Sequence, residues 1–429
     1  MRNLFLFLLF VFAAMGCGQK SERSENEILF WSSNNSYEID FAKKMVDEWT
    51  VKHPDKKIIF QPVPEGQSSE EIILAAVVGK TTPDLYSNMW QGDVEVYAQA
   101  GALVPLDTLP GFMEFLYNRC DSDVVKEITS TDGHIYQVPW KINPVMMMYN
   151  EKLLEEIKVE SVPTTYSDYL DASEKFKLDI NGDGYVDRWM GYAEVTNTWW
   201  QRFFDFYPLY LAASNGGSLV RDGKAAFDNE AAISVFRFLS ELYKNNYFPK
   251  ERISVRSDIF LTSVVATRFT GPWDISHSEK YKPEGFRYGF SAMPVPDNHT
   301  GPVYTYGDPK NIVMFSTCKN PVLAWEFLKT VISEQGDFLL LKMVNQFPRR
   351  KDLTTNSLYS DYLKQNSKME DFAKQAKYVK GTDISPVLKE VFDLISQEYE
   401  SCVVYGVKTP EEAIHDAAKA VNLLLEKSK

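Results

Sequence analysis

The sequence predicts an α/β protein in which parallel strands alternate with helices. Two observations carry that expectation. Apolar runs of strand length alternate with stretches whose apolar residues recur every three or four positions, and capping residues stand where those stretches begin. At roughly 150 residues per domain, 429 residues amount to two or three units.

The elements follow in order. Ile28 to Trp31 is a buried-strand run, and Ser32 to Ser36 is turn chemistry. Phe41, Met45 and Trp49 then fall on one helix face. Ile58 to Val63 reads as a second strand. Ser68 and Ser69 with Glu71 cap a helix running from Ile72 to Val78, and Pro83 to Tyr86 opens a third strand. The order β-α-β-α-β implies parallel strands joined by right-handed crossovers. Such sheets bind ligands beyond the carboxyl ends of their strands. Trp31, Asn34, Asn35, Met89, Trp90 and Gln91 follow predicted strands and so share one rim. Further on, Thr165 to Asp168 caps a helix, and Ile233, Phe236, Leu239 and Leu242 form an apolar stripe. Thr409-Pro410-Glu411-Glu412 combines an N-cap, a proline at the first helical position and a glutamate box.

Composition narrows the function classes. Lys and Arg number 46 against 59 Asp and Glu, a net charge of −13, so the surface repels phosphate backbones and nucleic acid is not a partner. A mean hydropathy of −0.29 excludes a multi-span membrane protein. With 27 Phe, 23 Tyr and 9 Trp there are rings to spare for a ligand beside a core.

Leu4 to Met15 is uncharged and apolar, too short for the ~20 residues of a spanning helix and suited to a secretory signal. Ala14-Met15-Gly16-Cys17 resembles a bacterial lipobox. That reading makes 1–16 a signal peptide and 17–27 a lipidated N-terminus at Cys17 with a polar tether; the alternative is an ordinary cleaved signal with an incidental cysteine. Cys120, Cys318 and Cys402 remain, an odd number that sequence cannot pair, and buried free thiols are expected.

Asp179-Ile180-Asn181-Gly182-Asp183-Gly184-Tyr185-Val186-Asp187 is the sharpest local motif. Oxygen side chains at loop positions 1, 3, 5 and 9, glycine at position 6 and the Tyr185 carbonyl at position 7 match an EF-hand-type cage for structural Ca²⁺. Position 12 departs from the pattern, with Met190 instead of Glu; the alternative is a cation-free Asx turn. The five histidines are scattered, and neither HExxH nor G-x-S-x-G occurs, so no motif marks an enzyme or a catalytic cofactor.

Taken together, several segments resemble the extracellular solute-binding proteins (family 1) of bacterial ABC sugar importers, the maltose-binding-protein-like group. They are LFWSSNN, TTPDLYSNMW with AQAGALVPLD, DGHIYQVPWKINPVMMMYN, ASNGGSLV, FTGPWDIS, FRYGFSAMPVP and NQFPRRKDL, in the family's order and spanning nearly the whole chain. The resemblance implies a two-lobe periplasmic-binding-protein-like fold. Each lobe is expected to be a mostly parallel sheet flanked by helices, with a ligand cleft between lobes and three crossover segments. It places the N-terminal lobe at 26–133 plus 296–342 and the C-terminal lobe at 134–295 plus 343–429. The crossings then fall near 133–136, 294–298 and 345–350. It also implies a monomer bound to a membrane only through its lipid, outside the cytoplasm, delivering a carbohydrate to permease subunits.

A sugar offers apolar faces and hydroxyl edges, so its binder needs aromatic platforms and a few polar partners. The candidate platforms are Trp31, Trp90, Trp140, Trp199, Trp200 and Trp273. Trp273 follows Gly271-Pro272 at the family's stacking position. At most one of the adjacent Trp199 and Trp200 is expected to meet ligand, because neighbours on a strand face opposite ways. The polar candidates are Asn34, Asn35, Glu65, Gln91, Asn143, Asp308 and Arg349, while Trp49, Trp189 and Trp325 read as core. The rival readings are a secreted glycan hydrolase or lyase, and a structural surface lipoprotein.

Overall fold

The computed structural model describes residues 24–63, 69–195, 198–253 and 257–428. The signal segment, Cys17 and Glu65 lie outside them. Strands β1 (Glu27–Ser32), β2 (Lys57–Pro62), β3 (Leu85–Trp90), β4 (Gln137–Lys141) and β11 (Lys310–Met314) build one sheet in the order β2-β1-β3-β11-β4. β1 pairs parallel with β2 and β3, as the alternation predicts. Its side chains serve two layers. Ile28 and Phe30 join Phe41, Met45 and Trp49 of the helix Ser36–Lys52, whereas Trp31 packs with Ile73 and Ala76 of the helix Ser69–Val78. A strand covered on both faces is apolar throughout, which is why β1 reads as a continuous run.

The second lobe is built around β8 (Thr267–Thr270), β5 (Met146–Asn150) and β9 (Tyr288–Ser291), in the order β8-β5-β9. Met147 enters one core and Met146 and Met148 another, so the methionine run spans two layers. This sheet is antiparallel, and β11 also runs antiparallel to β3 and β4. The expectation of a mostly parallel sheet therefore holds in the first lobe, where β2, β1, β3 and β4 share one direction and β11 opposes them, and fails in the second. The β-α-β signal came from the first ninety residues and does not extend to strands brought together from distant segments. Small pairs complete the set: β6 (Val220–Arg221) with β7 (Lys224–Ala225), and β10 (Thr305–Tyr306) with β12 (Val379–Lys380).

Two of the expected boundaries move. β4 belongs to the first sheet, so the first passage between lobes lies beyond Lys141, at Ile142–Val145, and not near 133–136. β10 pairs within the second lobe, so the second passage is Gly307–Pro309 and not near 294–298. The prolines at 294 and 296 misled because they flank a local pairing: Val295 bridges Thr165 and accepts the Tyr166 N–H at 2.8 Å. The third passage runs beside β4. There Phe347 accepts the Ile142 N–H at 2.9 Å, and Trp140 accepts the Arg349 N–H at 2.8 Å. Non-glycine residues with positive φ stand at two of the passages, Asp308 at 37° and Asn345 at 53°.

Two of the predicted caps form: Thr165 accepts from Asp168, and Thr409 with Glu412 makes a complete capping box. Ser68 of the third lies outside the described residues, and Asn35, read as a ligand candidate, caps its helix by accepting from the N–H groups of Tyr37 and Glu38. Each such cap contributes about 1 kcal/mol. All three described cysteines are buried and none is in a disulfide.

Candidate binding cleft between the lobes

The lobes meet at an aromatic junction. Trp90 ends β3, is 3% exposed, and donates its indole N–H to the Tyr306 hydroxyl at 3.0 Å. Its ring lies 5.0 Å from Trp199 and 5.4 Å from Phe203, and Phe203 stacks on Tyr306 at 4.8 Å. Lys389 sits 5.7 Å from the Trp90 centroid and 5.2 Å from that of Trp199, and pairs with Asp93 at 2.7 Å. Burial raises the Asp93 carboxyl above its usual value, against the pull of Lys389. With Trp90 and Phe203 sealed, the patch presents the half-buried Trp199 ring beside one cation and one carboxylate, the mixture that a polyhydroxylated ring requires.

Trp199 and Trp200 begin a 3-10 turn, Trp199–Phe203, not a strand. Even so they part: Trp199 packs into the junction while Trp200 is 44% exposed. Trp273 is half-buried at the first position of the helix Trp273–Tyr281, edge-on to Phe204 at 6.2 Å. Its ring covers Gly271, where a Cβ would lie 2.2 Å from it. Gly92 is overlain by Trp90 at the same 2.2 Å. Neither glycine has positive φ, so each is needed for the space it leaves under a ring and not for its backbone freedom.

The other candidates scatter. Trp31 is buried in the layer above β1, with an indole N–H that finds no partner among the described residues. Asn34 is exposed, and Asn35 spends its side chain on the helix cap. Trp140 is core and no platform: at 1% exposure it packs with Phe41 under the Lys141 ammonium, because β4 is a sheet strand that turns this residue inward. Asn143 ties the passages together, accepting the Phe347 N–H at 3.1 Å. Asp308 stands beside Lys310 at 3.7 Å and the Tyr306 hydroxyl at 3.3 Å. Gln91 donates to Glu127 at 3.1 Å, and Arg349 grips the same carboxylate with two bonds of 2.9 and 2.7 Å. Burial works to raise the Glu127 carboxyl, but the Arg349 guanidinium and these bonds bring it below its usual value. Arg349 is therefore spent on the Glu127 carboxylate and not on the aromatic junction. Trp49 and Trp325 are core, as read, and Trp189 is half-buried.

Sequence reasoning missed a buried network at the carboxyl ends of the first-lobe strands. Lys141, 1% exposed, donates to Glu38 at 2.9 Å and to Asn88 at 3.0 Å, and Gln346 donates to the same Glu38 oxygen at 3.0 Å. Desolvation lowers the Lys141 pKa, and Glu38 opposes it. A lysine closing an otherwise apolar strand was the available signal. Lys389, on the polar face of the amphipathic helix Leu388–Tyr399, offered none.

The loop 179–187 is closed by its own side chains. Asp179 accepts the N–H groups of Gly182 at 2.7 Å and Gly184 at 2.8 Å, and Asp187 that of Ile180 at 2.8 Å. Gly182 and Gly184 have φ of 76° and 90°. Among the described residues, no three His, Cys, Asp or Glu side chains gather as a metal site.

Comparison with known proteins agrees with this architecture. The chain is 24% identical over 317 residues to a maltotriose-binding protein of Pyrococcus abyssi, covering 72% of this chain and 63% of that one. It is 25% identical over 415 residues to an arabinooligosaccharide-binding protein of Bacillus subtilis, covering 92% and 88%. A crystal structure of an uncharacterized Listeria monocytogenes protein superposes with a TM-score of 0.79 at 28% identity, over 93% of this chain and 99% of that chain. The profile described as bacterial extracellular solute-binding protein matches residues 44–371, and the chain belongs to that family.

Proposed function

We propose that this protein is the carbohydrate receptor of an ABC importer, holding an oligosaccharide between its lobes and presenting it to the permease without catalysing a reaction. The observation that carries this reading is the pair of half-buried rings Trp199 and Trp273 at the aromatic junction, with Phe204 edge-on to Trp273 and the Lys389–Asp93 pair beside Trp199, while the sealed Trp90 supports them. The oligosaccharide-binding names of the relatives support it. Titration calorimetry against a panel of maltooligosaccharides and arabinooligosaccharides tests it. Saturable binding of one class, with compaction in small-angle scattering and no product formed, is the expected result. Glycan cleavage would instead favour the hydrolase reading, and indifference to every glycan the structural one.

Two parts of this reading stand on sequence. Cys17 carries the lipid anchor that keeps the monomer outside the cytoplasm at the membrane, and Cys17→Ser should release it. The loop 179–187 holds structural Ca²⁺ through Asp179, Asn181, Asp183, Asp187 and the Tyr185 carbonyl, supported by its spacing and by the left-handed Gly182 and Gly184. An unchanged melting temperature on adding a chelator would reject that site.

A further inference from the structure

We propose that the crevice beside the first and third passages is a second binding site, for a small dianion bearing phosphate or carboxylate groups. It is a cavity of about 850 Å³, within the range of small-molecule sites. The first lobe contributes residues from Cys120 to Glu127, the second the turn 216–218 and the segment 373–383, and Ile142 and Pro348 line it from the passages. Trp90, Trp199, Trp273 and Lys389 do not, so it is separate from the aromatic junction.

Its charge runs against that of the chain. Seven basic and four acidic side chains line it, in a protein of net charge −13. Two of the acids are already engaged, Glu127 by Arg349 and Asp383 by the N–H groups of Leu219 and Val220 at 2.7 and 2.9 Å. Lys126, Arg349, Arg350 and Lys374 are held by carboxylates, whereas Lys377 and Lys380 make no ion pair within 4 Å among the described residues, Lys380 acting on Glu127 only from further off. Their ammonium groups rest over Tyr378 at 4.9 Å and Tyr304 at 5.6 Å. Two such cations call for two negative charges. A second observation points the same way. Thr382 is 4% exposed and lines the cavity, yet its hydroxyl has no hydrogen-bond partner among the described residues. A buried hydroxyl is normally bonded, and an anion oxygen in the crevice would accept from it.

The test is titration calorimetry of the full chain at low ionic strength with inorganic phosphate and with succinate, neither a strong calcium chelator. Saturable binding of at least one anion is expected, and the preferred one names the group recognised. Lys377→Gln/Lys380→Gln should weaken it at least tenfold at an unchanged melting temperature. Lys377→Arg/Lys380→Arg should keep it, and Trp273→Ala should leave it unaltered. No saturation by either anion at millimolar concentration overturns the proposal, as does equal binding by the glutamine double variant. Loss of binding in Trp273→Ala would place the anion in the cleft and equally reject the crevice.

Discussion

Trp90 and Trp273 are built alike and situated differently. Each ring lies over a glycine two residues away, where a Cβ would intrude to 2.2 Å. Trp90 is sealed at 3% exposure, bonded to Tyr306 and packed against rings of the other lobe. Trp273 is half-buried with one edge-on aromatic neighbour, Phe204. The same local device thus serves as a strut in one place and leaves an accessible face in the other. What differs is the number of elements that converge on the ring.

The largest expected effect tests the strut. Trp90→Ala should cost about 3–5 kcal/mol of stability without ligand, as for a large core side chain, measured by denaturant unfolding. A cost below 1 kcal/mol would show that the lobes do not lean on it. Trp273→Ala should leave that stability nearly intact and lower glycan affinity by about 2–4 kcal/mol, the cost of truncating a binding anchor. If it unfolds the protein instead, the two rings are the same kind of residue. The glycines sharpen the contrast further. Gly92→Ala should destabilise by about 1–3 kcal/mol, since its ring is hemmed in, whereas Gly271→Ala should act mainly on affinity because the Trp273 ring has room to swing.

The last expected effect concerns the ion pair beside Trp90. Lys389 is 32% exposed but Asp93 only 7%, so Lys389→Met strips a buried carboxylate of its cation and should cost about 1–3 kcal/mol near neutral pH. Burial raises the Asp93 carboxyl from 3.8 despite Lys389. A carboxyl raised in the folded state binds its proton more tightly there than in the unfolded chain. Its stabilising contribution is therefore present below pH 3.8 and lost as pH rises through the raised folded value. Asp93→Asn should flatten that part of the stability–pH curve, and an unchanged curve would show that the carboxyl is solvated.

Much of the fold was legible because its signals are local. The β1 run, the Phe41–Met45–Trp49 face and the Thr409 box each depend on neighbours within a few residues, and all three form as read. The passages were less legible. Pro294 and Pro296 look like connectors in sequence, yet only the pairing of β10 with β12, more than seventy residues apart, decides where the chain leaves the second lobe.

The candidate site divides along the same line. The sequence by itself marked tryptophans following strands and turns, and so brought Trp90, Trp199 and Trp273 forward. It did not separate them from Trp140, because a ring at the end of an apolar run is core or platform according to which elements cover it. Tertiary structure buried Trp140 between sheet and helix, turned Arg349 toward Glu127, and drew Lys389 and Asp93 together across 296 residues of chain. The physical reason is range. Propensity, capping and periodicity act over a turn or two, whereas burial and ion pairing belong to surfaces that exist only once distant segments have packed.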